Sequence, residues 1–134
     1  MATEAVEQPG SRLWDAGLWV AQVGLSALFA VTGALRAFPP LTEGSANWAI
    51  ESHTWLFRLG GFGLLLVAIA LVMPPLVGVG QRLVPATATF MALTMAVAAA
   101  PHFIRGAGTS AALHLLVGAV CAFVVWGRVY KVRY

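Results

Sequence analysis

One stretch restricts this chain more than any other: His53 to Pro75, HTWLFRLGGFGLLLVAIALVMPP. Nothing between Leu59 and Met73 is charged. From Trp55 to Met73 there are 19 residues, which at about 1.5 Å per residue match the roughly 30 Å hydrocarbon core of a bilayer. The run is apolar on every side, with Gly60, Gly61, Gly63, Ala68 and Ala70 interspersed. It therefore lacks the polar face that a helix on a water-soluble protein presents. Glycines at such positions suit helices that approach closely in lipid. The stretch reads as a transmembrane helix stopped by Pro74-Pro75, with Arg58 one turn inside its start. A charge at that depth is costly enough to need a reason.

Three more runs of the same kind follow from the sequence. After a polar tail over 1–12, Ala16 to Leu35 is too long for a signal-peptide core and has no strongly basic front, so it reads as a retained span. Trp14 and Trp19 stand where interfacial aromatics anchor a helix, and Arg36 closes it. A third run opens with Pro85 in its first turn and ends at Pro101. Within it Ala88, Ala92, Ala96 and Ala100 recur every four residues as a ridge against which another helix can pack. The fourth run ends in Arg128, Lys131 and Arg133. The reading is an all-α, polytopic membrane protein: one four-transmembrane-helix bundle over 13–130, with spans at about 14–35, 55–73, 83–100 and 109–126 and a basic tail over 131–134. The longest connection, 37–54, is apolar enough for a short helix on the membrane surface.

Composition agrees, with 60% hydrophobic and 10% charged residues. The net charge of +3 resides in basic residues at span ends, where they act as topology signals and form no nucleic-acid patch. Seven arginines against one lysine, amid much Ala, Gly and Val, point to a GC-rich bacterial genome. The single cysteine, Cys121, allows neither an internal disulfide nor a CxxC redox pair, and reads as a small buried hydrophobe.

Four spans put both termini on one side. Arg12, Arg82, Arg128, Lys131 and Arg133 share that side, against Arg36, Arg58 and Arg105 on the other. The excess places both termini in the cytoplasm of a cell that has this protein in its inner membrane. The outer end then gathers Arg36, Glu43, Trp48, Glu51, His53, Arg58, His102, Arg105 and His114. Arg36 and Arg105 read as snorkelling side chains. Arg58 either snorkels, pairs with Glu43 or Glu51, or meets a ligand. His114, about 6 Å into its helix at 1.5 Å per residue, either hydrogen-bonds across helices or serves a site. The histidines have no HxxxH or HExxH spacing, so no metal site is assigned, and no pair of a nucleophile and a base is visible. The candidate ligand-binding set is Arg58, His114, Arg36, His102, Trp48 and Trp55, with Arg58 and His114 expected to meet at the outer end.

With the spans laid out, LWVAQVGLSALFAVTGALRAF, FRLGGFGLLLVAIALVMP and ALHLLVGAVCAFVVWGR resemble the DoxX-like family of small four-helix membrane proteins. In that family the first span commonly ends in a glycine followed by a basic residue, here Gly33 and Arg36. The second opens with Arg-Leu and a glycine and ends in proline, here Arg58, Leu59, Gly61 and Pro74. Two positions depart: Leu64 stands where relatives often carry an acid, and His114 where they often carry asparagine. The resemblance covers about residues 14 to 128. It implies a membrane subunit or accessory factor of a quinone-linked redox complex, with quinone as the implied cofactor and itself or other membrane subunits as partners. In that role Arg58 and His114 would hydrogen-bond a quinone carbonyl, with Trp48 or Trp55 against the ring. The alternative is a small carrier or chaperone that holds a lipid or polar solute in an outer pocket.

Overall fold

A computed structural model describes residues 9–38, 54–78, 80 and 82–131. They form four helices: α1 Pro9–Ala37, α2 Thr54–Val77, α3 Leu83–Ile104 and α4 Gly108–Trp126, the last continuing into a π-helical turn, Gly127–Lys131. All four are long and apolar enough to cross a membrane. Their outer surfaces are apolar at mid-length, where Val20, Leu66, Val97 and Leu116 are exposed. A bilayer solvates such a surface and water does not. The surface helix expected between the first two spans, together with Glu43, Trp48, Glu51 and His53, lies outside the described residues.

The bundle is two antiparallel hairpins. α1 packs mainly on α2 and α3 mainly on α4, while the seam between the hairpins is thinner. Close packing within each hairpin depends on small residues. A Cβ added at Gly61 would stand 2.5 Å from the Ala37 nitrogen and 2.8 Å from the Gly33 carbonyl oxygen, so the backbones of α1 and α2 nearly touch. In the second hairpin a Cβ at Gly118 would come within 3.3 Å of the Met95 Cβ and 3.6 Å of the Ala92 carbonyl. The expected alanine ridge is therefore corrected. Ala88 is buried and Ala92 half-buried, but Ala96 and Ala100 are exposed, and Met91 and Ala99 are buried instead. A spacing of four overshoots a 3.6-residue turn, so a ridge of fours drifts off the contact face within two turns.

The prolines are the second correction. Pro74-Pro75 and Pro101 were expected to end their helices, yet both lie inside, and α2 continues to Val77. Proline lacks the N–H that would bond the carbonyl four residues back. For Pro75 that carbonyl belongs to Leu71, and it accepts instead from Gln22 Nε2 of α1 at 2.8 Å. One turn earlier Ser26 Oγ donates to the Ala68 carbonyl, also at 2.8 Å. Two polar side chains of α1 thus tie it to the backbone of α2.

The apolar core occupies the half of the bundle near the α2–α3 connection. Leu25 and Phe29, Ala68 and Leu71, Val84, Ala88 and Met91, and Cys121 and Val124 meet there, so that all four helices contribute. Cys121 is buried, as its apolar setting in the sequence implies. Beyond Phe29 and Met91 a cleft opens between the hairpins.

Candidate functional site: a cleft between the hairpins

The cleft measures about 460 Å³. Its floor is Phe29 and Met91 at the edge of the core. Its walls are Leu28 of α1, Leu64 and Val67 of α2, Phe90 and Met95 of α3, and Leu113 and Val117 of α4. Gly60 and Gly63 line it from α2, where the missing side chains leave the room that the cavity occupies. Its polar groups are Thr32 and Arg36 of α1, Thr94 of α3 and His114 of α4. Thr94 is satisfied within its own helix, donating to the Phe90 carbonyl at 2.8 Å. A cavity of this size with mostly apolar walls and a few polar side chains is what an amphiphilic small molecule requires.

His114 is held in two ways. Its Nδ1 lies 2.7 Å from the Ser110 carbonyl oxygen. A carbonyl only accepts, so this nitrogen carries the proton and donates. The ring also stacks on His102 of α3, with centroids 4.9 Å apart and planes 29° from parallel. Both histidines are half-buried. The stack fixes the ring plane, and the hydrogen bond fixes its rotation about that plane.

The remaining expected site residues stand elsewhere. Arg58 does not line the cleft. It is exposed, and at 100° per residue it lies about 170° around α2 from the centre of the cleft-lining set, Gly60, Gly63, Leu64 and Val67. The expected meeting of Arg58 with His114 is corrected accordingly: their depths match, but their directions around the helices differ. Arg36, which the sequence marked as a snorkelling cation, is the arginine at the cleft. Trp55 is exposed and does not line it. Arg105 is exposed, as a snorkelling side chain would be.

Sequence reasoning missed a polar network at the opposite end of the bundle. Arg128, the second residue of the π-helical turn, is buried. Its Nε donates to Gln22 Oε1 at 2.6 Å, and one terminal nitrogen donates to Asp15 Oδ1 at 2.7 Å. Its guanidinium also sits 5.6 Å from the centroid of the Trp19 ring. Gln22 thereby joins three elements, accepting from the turn after α4 and donating to the Leu71 carbonyl of α2. The arginine fixes the amide orientation, because only the oxygen of Gln22 can accept from it. Gly127 makes the approach feasible, since a Cβ there would overlap the side chain of Leu18. Nearby, Trp14 meets Trp126 edge-on at 5.6 Å, and the Lys131 ammonium lies 5.7 and 5.5 Å from their ring centroids. The available signals were a glutamine inside an apolar run and an aspartate and arginine at the same end of the bundle.

Among the described residues no group of three or more His, Cys, Asp and Glu side chains is placed to hold a metal ion. Comparison with models of protein families, with characterised proteins and with solved structures finds no match for the chain.

Proposed function

We propose that this chain is a multi-pass protein of a bacterial inner membrane, of the DoxX-like kind, with both termini cytoplasmic, and that its cleft binds a quinone-type ligand. The observation that carries the reading is the cleft itself: an apolar cavity of about 460 Å³ with Arg36 and His114 among its few polar side chains. A quinone head needs flat apolar walls and one or two hydrogen-bonding groups, and its prenyl tail can leave through the seam between the hairpins into lipid. The role as a subunit or accessory factor of a redox assembly follows from the family resemblance, and the location of the site follows from the cleft. The alternative, a small carrier or chaperone for a lipid, is supported by the same cleft, because its mostly apolar lining also suits an acyl chain.

Purification in mild detergent followed by solvent extraction tests the proposal. Close to one quinone-type molecule per chain, oxidised and reduced forms counted together, reduced several-fold in Arg36→Leu and His114→Leu but not in Arg105→Leu, is the expected result. Recovery of phospholipid alone, equally in all four proteins, would overturn it, and lipid flux by the protein alone in liposomes would establish the carrier.

A further inference from the structure

Resting on the reading of the cleft as a quinone-type site, we infer that it selects the hydroxyl-bearing form of its ligand, a hydroquinone in preference to the quinone. The inference comes from His114. Its Nδ1–H is committed to the Ser110 carbonyl at 2.7 Å, and one ring face is covered by His102 at 4.9 Å between centroids. In the neutral ring the only polar atom left is Nε2, which then carries a lone pair and no proton. It accepts hydrogen bonds and donates none. A quinone carbonyl also only accepts, so lone pair would face lone pair. A phenolic O–H resolves this by donating to Nε2. Arg36 is a donor without acceptors and suits the ligand's other oxygen in either form. The recognised feature is an O–H donor on an otherwise apolar molecule, and a hydroxylated lipid such as a diacylglycerol carries the same feature.

The test uses the intact protein in nanodiscs and three probes: an alkyl hydroquinone, the same compound oxidised to the quinone, and a diacylglycerol. The hydroquinone should bind about ten-fold more tightly than the quinone, the difference made by one hydrogen bond in an apolar site. His114→Leu should abolish the preference while changing quinone affinity less than about three-fold, because leucine keeps the wall apolar. In the nitrogen NMR spectrum of unliganded protein, His114 should show a protonated Nδ1 and a bare Nε2. Equal or tighter binding of the quinone, or a protonated Nε2, overturns the inference while leaving the quinone-type site standing. Failure of both the hydroquinone and the quinone to bind overturns the site and the inference together. Diacylglycerol binding more tightly than the hydroquinone upholds selection for an O–H but transfers the site to a lipid.

Discussion

Gln22 ties this bundle together, because both ends of its side-chain amide are used. It satisfies the carbonyl that Pro75 leaves without an N–H, orients Arg128, and links α1 to both α2 and the turn after α4. Gln22→Leu should destabilise the protein by about 2–4 kcal/mol, since it strands a buried carbonyl and weakens the hold on a buried guanidinium. Part of that loss has a specific remedy. Pro75→Ala restores an N–H four residues after Leu71, so in that background the cost of Gln22→Leu should fall by about 1 kcal/mol. A double-mutant cycle of melting in detergent measures the coupling. Additive effects would show that Gln22 does not act through the proline. At this scale the sequence was only partly legible. His114 and Arg36, expected at one end of the bundle from their depth along the helices, line the cleft, and Arg58 at a like depth does not, because depth says nothing about direction around a helix. Arg128 was passed over because an arginine at a span end ordinarily snorkels, although at about 100° per residue it shares the helix face of the buried Cys121 and Val124.

The helices themselves were legible because unbroken apolar length fixes them more strongly than any local signal. Their ends were less so. Proline is an effective stop in water, where a freed carbonyl is hydrated and the chain can turn. In an apolar bundle, continuing the helix and satisfying the carbonyl from a neighbour leaves fewer polar groups without partners. Helix pairing depends on glycine. Gly33 and Gly61 meet backbone to backbone, whereas Gly17 and Gly24 on the same α1 have no atom within 4 Å of an added Cβ. Gly61→Ala should therefore cost about 1–3 kcal/mol, because the obstructing atoms are backbone and cannot rotate away. Gly24→Ala should be neutral or slightly stabilising through helix propensity. Thermal melting of the two variants in one detergent checks this, and equal melting temperatures would show that the α1–α2 contact is looser than described.

For the whole molecule, the excess of basic residues on one side predicts how the bundle sits in the membrane. A cysteine at Thr109, an exposed position at the start of α4, should react with a membrane-impermeant maleimide added to intact cells. One at Leu83, exposed at the start of α3, should react only after the membrane is opened, and the buried Cys121 should stay silent. The reverse pattern would invert the topology. Four helices long and apolar enough to cross a membrane were readable from hydropathy alone, but the division into two hairpins with a cleft between them was not. That division arises from which small residues face one another across helices, and a single sequence does not record facing. The link between Gln22 and Arg128 joins residues 106 positions apart, from the first span to the turn after the last. During synthesis it cannot form until residue 128 has left the ribosome, so until then the glutamine and aspartate of the first helix stay unmatched by the arginine. The completed bond is therefore a chemical mark of a chain translated past its fourth helix.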